Sequence, residues 1–294
     1  MNYPKRQLEK SPLAKAIIFA GVVIPFVATV YAAVLLWQQY IDARDLILML
    51  TLYVVSGIGI TVGYHRLLTH TSFETYKLIK ALLLAMGAMA LEGSPTSWAS
   101  THIEHHAHAD SEDDPHSPLV NLWHAHVGWM FSHVDRPTIY GSWLRKDPIV
   151  VWIDRTWPLW AAFGLVIPFA IGGWRGLLWG GLVRICLTHH STFSVNSICH
   201  TFGRRPYMTK DSSRNNWLVS LFAFGEGWHN NHHTFPRSAA HGLHWWQVDF
   251  SYYLIRGLEL MHLAWNVRVA TPEEQHKRAA RAGHPGIEDR QVAS

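Results

Sequence analysis

The sequence predicts an all-α membrane protein with a helical cap on one side of the bilayer. Three observations carry this reading. Apolar stretches long enough to cross a hydrocarbon core alternate with polar, histidine-rich segments. The mean hydropathy of +0.02 is high for a soluble protein and low for a pure membrane bundle. The 15 tryptophans agree, because Trp gathers where one end of the ring is dry and the other wet. Three histidine clusters each follow an apolar stretch directly: His65 and His70 in HRLLTH, His102, His105 and His106 in HIEHH, and His229, His232 and His233 in HNNHH. His200 stands apart.

The first apolar stretch covers about 14–37, and Lys5, Arg6, Lys10 and Lys15 lie at or before its start. The positive-inside rule then puts the N-terminus in the cytoplasm. The run is too long for a removable leader. A second stretch, about 46–64, returns the chain to the cytoplasm at His65. The third, 78–91, is short of the roughly 20 residues a span needs and ends in Glu92, Gly93 and Pro95. Were it to cross, HRLLTH and HIEHH would lie on opposite sides, so it is read as an interfacial helix. The polar segment up to 157, broken by Pro115, Pro118, Pro137 and Pro148, begins the cap. Stretches 158–171 and 176–194, joined by GGWRG, make a tight pair of spans. Four spans and one interfacial helix place every cluster on the cytoplasmic side, with the cap formed by 65–157 and 195–265. Residues 245–265 have helical spacing but carry Asp249, Arg256 and Glu259, so they suit a helix on the cap or the membrane surface. Residues 270–294 read as a solvated, disordered tail, and the whole chain, 1–294, as one domain.

Imidazole is the commonest biological metal ligand, and one helix face repeats at i, i+3 and i+4. The spacing 102/105/106 recurs as 229/232/233, so each box is expected to aim three nitrogens at one point. With Cys186 and Cys199 the only cysteines, neither a disulfide framework nor a thiolate cluster forms, and metal must be held by nitrogen and oxygen. Nine imidazoles exceed the four ligands of a structural zinc and suit two metals of higher coordination number. Ligand type alone leaves zinc, copper, iron and nickel open. Asn196 precedes His200 by one helical turn and would complete a metal shell directly or through a water. Glu104, Asp110, Asp113, Asp114 and Glu226 are candidates to orient the imidazoles. The other histidines, among them His108, His116, His124, His126, His133, His189 and His190, read as packed or hydrogen-bonded side chains. The charge of +4 comes with no basic block dense enough for nucleic acid.

Taken with their flanks, GYHRLLTH, DPHSP, NSICHTFGRRPY and GEGWHNNHHTFP, the boxes resemble those of the membrane fatty acyl desaturases, in particular the Δ9 acyl-CoA desaturase-like branch. The resemblance covers about 15–265. It implies a four-span fold whose cytoplasmic cap holds two iron ions on His65, His70, His102, His105, His106, His200, His229, His232 and His233. Asn196 matches the position that holds a metal-bound water, and Trp98 matches a tryptophan lining the bend of the substrate tunnel. An interface anchor is the alternative role for Trp98. The implied reaction removes two hydrogens from a saturated acyl chain, with O2 and two electrons from an external donor such as a ferredoxin, a cytochrome b5-like protein or an oxidoreductase. The compact length favours a bacterial cytoplasmic membrane.

HIEHH lacks the basic residue that many relatives carry after the first histidine. Gly93 and Ser100 stand where animal acyl-CoA desaturases place groups that contact the CoA head. The acyl carrier is therefore left among CoA, a carrier protein and a glycerolipid. A related di-iron hydroxylase is the nearest alternative. A metal transporter is remote, since transporters place ligands near the bilayer midplane.

Overall fold

The computed structural model describes residues 10–37 and 42–281. Lys5 and Arg6 of the orientation argument, and residues 282–294 of the expected tail, lie outside them. Helix α1 (Pro12–Trp37) is apolar on every side, and Ile17, Phe19, Ile24, Phe26 and Val30 are each more than half exposed. A helix presented to lipid is built this way. Helix α2 (Ala43–Ile58) starts from a capping box of Asp42 and Asp45 and runs unbroken into a wider π-helical stretch, Gly59–Thr69. His65 therefore sits inside the second rod, where the expected boundary at 64 had placed it just beyond the end.

Small residues let the next element cross this rod closely. After strand β1 (Glu74–Thr75), helix α3 (Lys77–Ala88) passes so near that a Cβ on Gly59 would lie 2.0 Å from the Gly87 nitrogen. Leu83, Leu84 and Ala88 are buried there while Leu78 and Leu82 face outward. Helix α4 (Pro95–His108) has Ser94 as its N-cap and Pro95 in its first turn. The Thr96 N–H donates to Asp154 at 2.9 Å, tying α4 to the helix that carries Asp154. The short α5 (Trp129–Ser132) follows a π-helical turn at His124–Gly128.

Among the described residues, three stretches are long and apolar enough to cross a membrane: Pro12–Leu36, Ala43–Thr69 and Pro148–Ser197. The third joins α6 (Pro148–Gly176), a π-helical stretch Leu177–Val183, and α7 (Arg184–Ser197). Gly173, with φ 59° and ψ −145°, interrupts it. The two limbs then run antiparallel, with Gly176 and Gly180 against Pro168 and Arg184 against Gly164. Helix α6 starts at Pro148, well before the expected 158, because Asp147 caps it and Pro148 suits a first turn. Pro158 and Pro168 sit inside it, as membrane helices tolerate. Arg184 is fully buried and donates to the carbonyls of Gly180, Met89 and Gly164 at 3.2, 2.6 and 2.6 Å, so the hairpin is strapped to the end of α3.

Beyond α7 come the short helices α8 (Trp217–Phe222) and α9 (His229–Thr234) and then α10 (Phe250–Leu260). Helix α10 is shorter than the expected 245–265, because Asp249 caps its start and the chain turns into strand β2 (Ala264–Trp265). Strands β1 and β2 pair antiparallel, Glu74 with Trp265 and Thr75 with Ala264. This small ladder is the departure from an all-α fold among the described residues. The expected disorder from 270 is also corrected, since helix α11 (Pro272–Arg281) forms there. Thr271 and Glu274 exchange hydrogen bonds at its start, 2.8 and 3.2 Å long, which satisfies the first free N–H groups.

Candidate metal centre

The spacing of each box matches the local helix that carries it. In the π-helical stretch hydrogen bonds close at i→i+5, and the His70 N–H reaches the His65 carbonyl at 3.0 Å. Residues five apart thereby share a face, as HxxxxH requires. His102, His105 and His106 occupy the last turns of α4. Helix α9 is only six residues long, too short to hold itself together. Asparagines hold it from outside. Asn215 Oδ1 accepts from the N–H groups of Asn230 and Asn231 at 2.9 and 3.1 Å. The Asn230 side chain bonds both backbone groups of Tyr207, and Asn231 bonds the His241 carbonyl and Gln247. The two asparagines inside HNNHH are thus anchors, and the histidines beside them are left free.

The eight box histidines and His200 fall into two groups whose ligand atoms lie within 4.8 Å of one another: His65, His70, His102, His106 and His232 in one, His105, His200, His229 and His233 in the other. Each HxxHH box divides between them, correcting the expectation of a single target. The i, i+4 pair serves one group while the i+3 residue crosses to the other. Four Nδ1 atoms face carboxylates: His65 to Glu226 at 2.7 Å, His105 to Asp114 at 3.0 Å, His200 to Asp110 at 3.1 Å and His233 to Asp211 at 3.0 Å. We assign the Nδ1 proton to these bonds, which aims the Nε2 lone pair inward.

That assignment tests whether the donor set suits metal. His105 and His233 are both buried and held below the ordinary imidazole range, first by burial. Their Nε2 atoms are 3.4 Å apart, lone pair toward lone pair. Around them His200 to His229, His233 to His229, His102 to His70 and His106 to His232 meet at 2.9–3.1 Å. The His105–His233 contact is repulsive by itself, and the convergent Nε2 atoms of each group become favourable ligands with a cation at the focus. The residues fit two metal ions.

Of the acids expected to orient imidazoles, Asp110, Asp114 and Glu226 do so. Glu104 instead pairs with Arg136, and Asp113 is exposed at the surface. Asp211 and His241 escaped the sequence reading. Burial would raise the Asp211 carboxyl, but the hydrogen bond and charge of His233 lower it. His241 approaches Glu226 at 3.1 Å and lies 4.4 Å, ring to ring, from His232. Glu226 also pairs with the fully buried Arg66 at 3.2 Å, and Arg66 pairs with Asp249 at 2.9 Å. Burial works against the Glu226 carboxylate, but His65, His241 and Arg66 together hold it ionised. His116, read as an ordinary packed histidine, lies 4.3 Å from the His105 ring and beside Asp114.

Two cavities approach the groups, one of about 290 Å³ and one of about 40 Å³. Trp98, His102, Thr192 and Asn196 line both. Trp98 stacks on His102 at 5.1 Å, and its Nε1–H donates to Glu92 at 3.1 Å. Thr192 donates to the other Glu92 oxygen at 2.9 Å. Burial raises the Glu92 carboxyl to about 7 against these two bonds.

The histidines give a pH prediction for the metal-free protein. His70, His102, His105, His106, His229 and His232 are held well below 6.5, first by burial and then by neighbouring histidines. His116, His133 and His241 are lowered to about 4, with burial the first cause. The unfolded chain thus takes up protons near pH 6.5 that the folded chain refuses, so stability is full above 6.5 and is lost as pH falls toward 4. Thermal melts of metal-free protein across this window should show the decline. A melting temperature that rises on acidification contradicts it.

The family model described as fatty acid desaturase matches residues 44–266. The hex-5-enoyl-[acyl-carrier protein] acetylenase of Moorena producens (strain JHB) is 41% identical, over 85% of this chain and 84% of the relative. The sn-1 stearoyl-lipid 9-desaturase of Anabaena variabilis is 39% identical, over 77% and 84%. The acyl-CoA C20 Delta5-desaturase of Anemone leveillei is 39% identical, over 77% and 74%. With boxes, site and matched length in agreement, the chain belongs to the fatty acid desaturase family.

Proposed function

We propose that this protein is an O2-dependent di-iron desaturase that places a cis double bond at Δ9 of a saturated acyl chain. The observation that carries the reading is the meeting of two cavities at Trp98 and His102, directly beside both histidine groups. The hairpin of α6 and α7 is read as two spans, giving four in all, with the cap on the cytoplasmic side of a bacterial inner membrane.

Two iron ions held by His65, His70, His102, His106 and His232, and by His105, His200, His229 and His233, would supply the oxidising power to take two hydrogens from adjacent carbons. In balance, CH2–CH2, O2, two electrons and two protons give CH=CH and two waters. The electrons come from a separate donor, such as a ferredoxin, a cytochrome b5-like protein or an oxidoreductase. The chain's own residues do the positioning. Asp110, Asp114, Asp211 and Glu226 fix the imidazole rings. Asn196, at the junction of the cavities, is suited to hold a metal-bound water. Trp98, fixed by Glu92 and His102, shapes the wall at which the acyl chain turns. Ile60, Val195, Ala223 and Phe224 line the smaller cavity and keep water from the methyl end.

The test is acyl-chain profiling in a host without its own desaturase, with double-bond location by mass spectrometry. The expected result is new cis-Δ9 monoenes that disappear in the box variants. Hydroxylated chains without monoenes contradict the reading.

A further inference from the structure

Oxygen reduction in the proposed reaction consumes two protons, and an acyl chain seated in the cavities displaces the water that would carry them. We infer that Glu92 is the acid that supplies one of these protons, passing it through the Thr192 hydroxyl to a water beside Asn196. The inference rests on the O2-dependent reading of the site for its demand for protons, though not on which product forms.

Glu92 stands between α3 and Ser94, the N-cap of α4, on the wall of the larger cavity. Its two oxygens have partners of different kinds. The Trp98 indole N–H is a donor only, so Oε2, 3.1 Å away, accepts in either state of the acid. The Thr192 hydroxyl, 2.9 Å from Oε1, donates to a carboxylate and accepts from a carboxylic acid. A proton on Glu92 therefore belongs on Oε1 and points at Thr192. One helical turn beyond Thr192 on α7 comes Asn196, and both line both cavities. The smaller cavity, about 40 Å³, has room for a water.

Two other acids line the cavities, and both are engaged. Glu226 is held by His65, His241 and Arg66, and Asp135 interacts with Lys10. Among the described residues no Lys or Arg pairs with Glu92. The titratable groups around it are Tyr64 of the second rod, His102 of α4 and His189 of α7, with Lys10, His116, His133 and Asp135 lining the same cavity. With no cation opposing burial, the carboxyl rises to about 7 and holds its proton near neutrality. In the step, the O–H bond at Oε1 breaks and its proton goes to the Thr192 oxygen, which releases its own proton to the water. The water passes one proton on to the oxygen under reduction. Glu92 is left a carboxylate, no electron leaves or reaches it, and water re-entering the larger cavity after product departs restores its proton.

The experiment compares the iron-loaded full chain with Glu92→Gln, which keeps an acceptor for Trp98 but has no acidic proton. Infrared difference spectra of the resting protein, taken across pH, should show a protonated-carboxyl C=O band that titrates near 7 and is missing from Glu92→Gln. Turnover is read as O2 consumed per chain. In wild type kcat should fall as pH rises through about 7, because the acid must be protonated to donate. Glu92→Gln should lose kcat about 100-fold, within the range of general acid catalysis, with KM unchanged and the fall with pH abolished. Thr192→Val should lose kcat while keeping the infrared band, and Thr192→Ser should recover it. Wild-type kcat and pH profile in Glu92→Gln overturn the inference. So does a loss confined to KM, which leaves Glu92 a wall of the cavity, or the absence of the carboxyl band at every pH. Because O2 consumption counts any oxidised product, hydroxylated chains without monoenes refute the desaturase reading alone.

Discussion

Replacing His229 by alanine is expected to abolish turnover while the protein still inserts and folds. His229 is 1% exposed, and its Nε2 lies 3.0 Å from those of both His200 and His233, so it is central to the four-histidine group. Removing an outer partner of a metal ligand commonly costs about 10–100-fold in metal affinity or activity, and loss of the ligand itself should exceed that range. The fold should survive because α9 is held by Asn215, Asn230 and Asn231, none of which bonds the His229 ring. Metal analysis, turnover and membrane fractionation of the variant check this together. Retained turnover by purified His229→Ala shows the ligand assignment to be wrong.

Glu226→Ala should do nearly as much damage by a different route. Its carboxylate fixes His65 at 2.7 Å, approaches His241 at 3.1 Å and faces the buried Arg66. Taking one member from a buried charged group typically costs about 3–5 kcal/mol, because the remaining charge is uncompensated. Arg66 keeps Asp249, but that carboxylate already caps α10 and accepts from the N–H groups of His241 and Gly242. A lower melting temperature is expected, together with metal affinity reduced about 10–100-fold through the misoriented His65. Glu226→Gln keeps an acceptor for the His65 Nδ1 proton and should recover part of the metal affinity but little of the stability. Chelator competition beside thermal melts separates the two effects. Unchanged values in both would remove Glu226 from the centre.

The box spacing made the ligands legible, because i, i+3 and i+4 describe one helix face directly. The division into five and four was not legible. It depends on how α4 and α9 cross, and no spacing within one box records that. Asp110, Asp114 and Glu226 stand close to a box in the chain, whereas Asp211 comes 22 residues before His233 and reaches it only through a loop. That loop is closed by Thr209 and Ser213 on Asp211. His241 lies only eight residues beyond His233, but no helical spacing ties it to the third box. The HRLLTH spacing held a further signal, since a separation of five suits π-type hydrogen bonding and so foretells a continuous rod through His65. The tail was misread because charge and low hydropathy suggested disorder, although TPEE carries a capping signature at the start of α11. The helix begins at Pro148, ahead of the apolar stretch from 158, because Asp147 caps it and Pro148 suits its first turn.

The central claim is that nine imidazoles hold two metal ions, and counting them is the direct test. Protein loaded with ferrous iron under anaerobic conditions and freed of excess should retain two irons per chain. Mössbauer spectra should show nitrogen-rich ligation, and His229→Ala should fall to about one iron. A wild-type chain that retains one iron or none, while correctly inserted and folded, contradicts the account.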